Sequence, residues 1–471
     1  MKTIVQKMPC LLALLCLGWL ARFDGTAQAD TSALQARQSP DWLRSSVMYE
    51  IFPRDFSAAG DLNGVTAQLD ELHDLGVNIL WLMPIHPIGQ VSKKGALGSP
   101  FSVRDFYAVN PDYGTTNDFR RLVDQAHQRD MKVVMDITAG QTSWDSVLMA
   151  HPEFYEKDAK GNIIPPDPAW TDVAALTYNN PDVRHYMINM MTYWMTDYHV
   201  DGFRCDVAPN VPLDFWEEAR AALEQVNPQV IILADAGAKP ELLTNAFDVD
   251  SSWSMNYIVG SVMNGQQPAS YIGDLWKLTN DRFPARALHL RFTDNHEETR
   301  AVVRYGLSGA LAAQVLMMTL DGVPLLYNGM EVGDATESED PALFEKLPIF
   351  WNPGGRPPLR AVYHDLIQLR KDHPAFDNGT VEWLDNSAAN QVASFVRRDD
   401  KDEFLVLINF STTPIVGSIT LDNADGFKPV RIGDQPISDT TLPDFKLESF
   451  GWRIFHRPLT SSGGASVPAS Q

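Results

Sequence analysis

In the run Val200-Asp201-Gly202-Phe203-Arg204-Cys205-Asp206-Val207-Ala208, an arginine and an aspartate stand two residues apart at the end of an apolar strand-like segment. Strand alternation points both side chains to one face. A guanidinium beside a carboxylate favours its ionised form, the state in which a carboxylate acts as a nucleophile. The alternative is a structural Arg–Asp pair closing the strand. Three more carboxylates end apolar runs: Asp136, Asp235 after Ile232-Leu233-Ala234, and Glu297 a little beyond Phe292. Carboxylates gathered at strand ends are the material of nucleophilic and general acid–base chemistry.

The elements that must position them alternate between short apolar strands and amphipathic helices. Strands are expected at Val47 to Phe52, Asn78 to Pro84, Lys132 to Asp136, Gly202 to Asp206, Val230 to Ala234, Ala246 to Val249, Ala287 to Phe292 and Pro324 to Asn328. Helical patterns run over Val65 to Leu75, Asn117 to Arg129, Pro181 to Tyr198, Leu213 to Gln225, Ser308 to Leu320 and Leu359 to His373. This succession predicts an α/β fold, a (β/α)8 TIM barrel over residues 30–376, with its chemistry at the C-terminal strand ends. Residues 142–180 are too long for an ordinary loop and read as a small lobe inserted after strand 3. From 377 to 458 helices give way to short alternating strands, a C-terminal antiparallel β-sandwich.

Composition narrows the partners. The chain has 471 residues, 44% hydrophobic, with a net charge of −22. So acidic a protein is a poor match for nucleic acid, while charge says nothing against a neutral ligand. Residues 1–29 read as a signal peptide: Lys2 and Lys7, a short apolar centre, then Ala27-Gln28-Ala29. The expectation is a secreted or periplasmic protein without a membrane anchor; without its leader it keeps one cysteine, Cys205, and so has no internal disulfide. Residues 459–471 read as a disordered tail. His86 and His151 have no partner pattern indicating a metal.

The motifs together are specific. D-G-F-R-x-D-V-A at 201–208, Val47-Met48-Tyr49-Glu50-Ile51-Phe52, Asn110-Pro111-Asp112-Tyr113-Gly114-Thr115 and Gly322 to Glu331 all resemble the α-amylase family of glycoside hydrolases, in order and spacing. The resemblance covers Trp42 to Arg457. It implies a (β/α)8 barrel, an α-glucan or maltooligosaccharide ligand, and retaining hydrolysis by a carboxylate nucleophile and a carboxylic acid. Asp206 then matches the nucleophile and Arg204 its partner.

Other positions depart from the family pattern. Pro240-Glu241-Leu242 and Phe247-Asp248 set the register, and Asp235 stands where the family has its acid Glu. In Asn295-His296-Glu297, His296 matches, but Glu297 occupies the position of the third Asp. Asp136 matches at strand 3, whereas the Asn and His that follow have become Gly140 and Gln141. In the family that His contacts the sugar and that Asn often ligates calcium. Gly140 has no side-chain oxygen to offer such calcium, and no other cofactor or metal is implied. Ser99 to Phe106 resembles Y-x-V-x-D-Y: Phe101 keeps the ring without the hydroxyl, and Arg104 and Asp105 either meet substrate or pair to hold the loop. Trp144, Trp170 and Trp253 are either sugar platforms or ordinary packing.

An Asp is one methylene shorter than a Glu, and a 1 Å misplacement can cost about 10²-fold in rate. Three readings stay open: an α-glucan-binding protein whose hydrolysis is weak or lost, a working glycosidase with rearranged carboxylates, and a scaffold without a sugar site.

Overall fold

The computed structural model describes residues 34–338, 340–352, 359–434 and 441–459. Eight strands close a parallel barrel: β1 (Met48–Ile51), β2 (Ile79–Leu82), β3 (Lys132–Ile137), β4 (Gly202–Cys205), β5 (Ile231–Ala234), β6 (Val249–Asp250), β7 (Leu288–Arg291) and β8 (Val323–Tyr327). β1 pairs with both β2 and β8, so no edge is left open. All eight coincide with the apolar runs expected from the sequence, with ends displaced by up to three residues.

The barrel interior follows from strand alternation. Met48, Ile79, Val134, Ile231, Leu233, Val249, Leu288, Leu290, Val323 and Leu325 pack as one cluster inside the ring. Two residues further along each strand, the same inward register carries Glu50, Trp81, Asp136, Arg204 and Asp235. The polar cluster is therefore the next layer of the core towards the C-terminal face. Gly202 opens β4 because any larger residue would collide: a Cβ there would lie 2.1 Å from the Ile231 carbonyl oxygen.

The helices start and stop on local chemistry. Thr115 and Asp118 form a reciprocal capping box at the helix Thr116–His127. Asn180 caps Pro181–Tyr198, with proline at the first position and His199 turning left-handed at its end. The expected helix over Val65 to Leu75 is instead two pieces, Leu62–Thr66 and Leu69–Leu75. The helix expected from Ser308 begins at Ala301, with a break at Gly306 (φ 69°, ψ 173°) that glycine tolerates. That helix is long and apolar enough to cross a membrane, but 56% of its apolar window is buried inside the protein. Two helices, Trp253–Met263 and Ser270–Arg282, follow β6 without having been foreseen.

After β3 the chain enters the excursion, in which Gln141–Ser143 pairs antiparallel with Val173–Ala175. The C-terminal strands are β9 (Thr380–Trp383), β10 (Val392–Arg398), β11 (Asp402–Asn409), β12 (Ile415–Ser418), β13 (Lys428–Pro429), β14 (Asp444–Leu447) and β15 (Trp452–Pro458). They form a five-stranded sheet, β9-β10-β11-β15-β13, and a two-stranded one, β12-β14. Val392, Val396, Leu405, Leu407, Phe445, Leu447 and Phe455 fill the space between the sheets. β13 and β14 had not been foreseen; β13 is two residues long, below the reach of any periodicity argument. The leader reading of 1–29 lies outside the described residues, as does the tail beyond Leu459.

Candidate active site

Arg204 is the hub of the barrel mouth. Its side chain is 2% exposed. Nη1 donates to Asp206 at 2.8 Å and to both oxygens of Asp136 at 3.1 Å. Nη2 lies 2.9 Å from Asp235 Oδ2 and 3.7 Å from Glu297 Oε1. The guanidinium also stands over the rings of Trp81 and Phe101, at 5.2 and 5.9 Å. All four carboxylates singled out from the sequence thus converge on one cation, although they come from four different strand ends.

That sharing changes the electrostatics expected for Asp206. With Glu50, five carboxylates face two cationic groups, Arg204 and His296, so the cluster favours retaining protons. Burial raises the proton affinity of Asp206, Arg204 opposes it and Asp235 adds to it, and the net shift is upward. Arg204 alone therefore does not hold Asp206 in the low range expected of a simple Arg–Asp pair. Burial likewise lifts Asp136 to about 8, against Arg204 and with the Asp206 charge.

Asp235 behaves in the opposite way. Burial pushes its proton affinity up, but Arg204, the Trp253 indole and the Val207 amide outweigh burial, and the net shift is downward. Four donors surround this carboxylate: Arg204 Nη2, Val207 N at 3.2 Å, Ser251 Oγ at 3.2 Å and Trp253 Nε1 at 3.1 Å. Val207 reaches it from a left-handed conformation (φ 40°, ψ 52°), uncommon for a β-branched residue.

Glu297 is the most accessible member, with 43% of its side chain exposed. Desolvation of its carboxyl and the Asp235 charge push it up to about 7, and solvent screens part of that push. Its neighbour His296 is buried, which disfavours the imidazolium, but Nδ1 pairs with Glu50 Oε1 at 2.5 Å and the proton affinity rises to about 9. His296 Nε2 lies 3.5 Å from Glu297 Oε1, and Phe101 stacks on the imidazole at 5.2 Å.

The remaining candidates are dispersed. Arg104 has Asp145 as an ion-pair partner at 3.9 Å, and Asp105 accepts the Tyr107 amide at 2.9 Å. Gln141 is buried at the start of the lobe hairpin. Trp144 donates to Thr171 O within the lobe, and Trp253 serves Asp235. His86 is buried against Phe106 and Trp194, where burial lowers it to about 4. Gly140 itself offers no side-chain oxygen where the family has its Asn; a Cβ there would lie 3.6 Å from Val211 Cγ2 and 3.7 Å from Asn210 Cβ.

Three contributors escaped sequence reasoning. Trp81 donates to Asp136 at 3.1 Å, Glu50 holds His296, and Ser251 supports Asp235. Inward alternation from Ile79 to Trp81 and from Met48 to Glu50 could have found the first two.

Comparison with known proteins agrees with this architecture. The family described as "Alpha amylase, catalytic domain" matches residues 22–158 and 169–352. The α-amylase MalA of Haloarcula japonica is 26% identical over 416 residues, 83% of this chain and 59% of that protein. This chain thus spans less than two thirds of that relative. The intracellular maltogenic amylase of Bacillus subtilis is also 26% identical, over 85% of this chain and 73% of the relative. A crystal structure of a noncanonic maltogenic α-amylase from Thermotoga neapolitana has a TM-score of 0.80 at 28% identity, covering 89% of this chain and all of that one. An α-amylase from Lactobacillus plantarum gives 0.78 at 29%, covering 88% and 99%. The expected secreted or periplasmic location is corrected by the Bacillus subtilis relative, matched in two sequences, both named intracellular maltogenic amylase, which points away from export. The barrel, the strand-end carboxylates and the matched family make the chain a member of the α-amylase family of glycoside hydrolases.

Proposed function

We propose that this protein takes α-glucans, maltooligosaccharides in particular, at the Arg204 cluster and hydrolyses them with retention only weakly or not at all. The observation carrying this reading is the four-donor cage around Asp235. Retaining hydrolysis needs a carboxylic acid that enters the reaction protonated. A carboxylate gripped by a guanidinium, an indole, a hydroxyl and an amide is held as the anion. It is also one methylene short of the leaving-group oxygen that a Glu at this position would reach. Asp206 is the nucleophile of the proposed site, sharing Arg204 with three other carboxylates. His296, Asp136, Phe101 and Gln141 line the sugar, and Arg104 and Asp105 shape the loop beside it. The barrel at 30–376, with its lobe near 142–180, carries the site, and the sandwich takes up 377–458.

A second reading is favoured by Glu297. Its proton affinity near 7 and its exposure are those of a usable general acid, so the acid role has moved from β5 to the segment after β7. Incubation with a maltooligosaccharide, following reducing ends beside calorimetric binding, tests both. Saturable binding with turnover far below one per second supports the first reading, and many turnovers per second support the second. A folded protein giving no heat with any α-glucan overturns the sugar site itself.

A further inference from the structure

Away from the barrel mouth, His373, Asp402 and His456 meet where the last barrel helix reaches the C-terminal sheet. His373 directly follows the helix Leu359–Asp372, Asp402 opens β11, and His456 lies on β15. β11 and β15 are paired with Phe404 opposite His456, so alternation puts Asp402 and His456 on the same face. His373 Nδ1 lies 3.0 Å from Asp402 Oδ2, and His456 Nε2 lies 2.6 Å from Asp402 Oδ1. All three ligand atoms fall within 4.8 Å of one another.

We propose that these three side chains bind a divalent transition-metal ion, Zn²⁺ by ligand chemistry, which ties the barrel to the C-terminal sheet. A tetrahedral zinc with ligands at about 2.0–2.2 Å needs its donor atoms about 3.4 Å apart. The two contacts to Asp402 must open slightly, and the ligand atoms, all within 4.8 Å of one another, must settle to that spacing by side-chain rotation. Two imidazoles and one carboxylate select zinc over calcium or magnesium, which take oxygen ligands. The Phe404 ring packs against both imidazoles, at 4.8 Å from His373 and 4.5 Å from His456, and limits their motion. The Asp399 carboxylate accepts the Asp402 amide and fixes the turn that presents the third ligand. Side-chain exposures of 27%, 16% and 28% leave a fourth position open to water. Glu403 is paired with Arg457, and alternation turns it to the other face.

The bland alternative is a hydrogen-bonded His–Asp–His clasp that ignores metal. Zinc chloride alone, titrated into chelator-treated, dialysed full-length protein near pH 7.5, separates the two. The expected result is one equivalent bound, with a rise of a few degrees in Tm that calcium chloride does not reproduce. His373→Gln and His456→Gln keep a hydrogen-bond donor for Asp402, so each retains the metal-free Tm but loses zinc affinity at least tenfold. His364, within the helix Leu359–Asp372 and paired with Asp365 at 3.1 Å, lies outside the cluster, and His364→Gln leaves zinc binding unchanged. Wild type that binds no zinc, or binding untouched by both glutamine variants, overturns the proposal. Neither outcome bears on the α-glucan site.

Discussion

Lengthening Asp235 to glutamate tests the barrel mouth most directly. The carboxylate lies 2.9 Å from Arg204 Nη2 and within 3.2 Å of three further donors, and its side chain is 11% exposed. One added methylene extends the carboxyl by roughly 1.5 Å, past the grip of Ser251 and Trp253 and towards the open side where Glu297 stands. A 1 Å error in placing a catalytic group costs about 10²-fold, and general acid catalysis as a whole supplies about 10²–10⁴-fold. Asp235→Glu should therefore raise kcat on a maltooligosaccharide by about 10²-fold, equivalent to about 2.7 kcal/mol of barrel-mouth stabilisation of the transition state. The rise belongs in kcat, since the gain is made only as the glycosidic bond breaks. Initial rates from reducing-end detection read it, with Asp206→Asn as the background that should silence every variant. A fall in rate in Asp235→Glu would refute the reasoning, because it would mean that the short carboxylate is part of a working rearranged site.

Other consequences can be measured separately. If Glu297 holds the reactive proton, residual hydrolysis declines as pH rises through about 7, and Glu297→Gln removes both the activity and that limb of the profile. His296, raised from 6.5 to about 9 in the fold, contributes stability fully present below pH 6.5 and lost as pH climbs to 9. The loss is about 3 kcal/mol; urea unfolding at pH 6 and 9 should show it in wild type and not in His296→Gln. Gly202→Ala forces a Cβ to 2.1 Å from the Ile231 carbonyl and should destabilise by about 3 kcal/mol, seen as a lower urea midpoint at unchanged slope.

Much of this molecule is legible in its residues one stretch at a time. The apolar runs ending at Asp136, Cys205 and Ala234 are strands because short β-rich segments bounded by turn residues have few alternatives. Alternation alone placed Arg204 and Asp206 on one face. Thr115-x-x-Asp118 and Asn180-Pro181 announce helix starts by local hydrogen bonding. What only the closed barrel decided is who shares whom. Arg204 meets Asp136, Asp235 and Glu297 as well as Asp206 because four strand ends converge, and Coulomb interactions depend on distances between residues far apart in the chain. The same convergence made Trp253 a donor to Asp235, lifted Asp206 where a lone pair would have lowered it, and recruited Glu50 to charge His296. His373, Asp402 and His456 are unremarkable along the sequence; sheet pairing and the docking of one helix bring them within reach of a single ion.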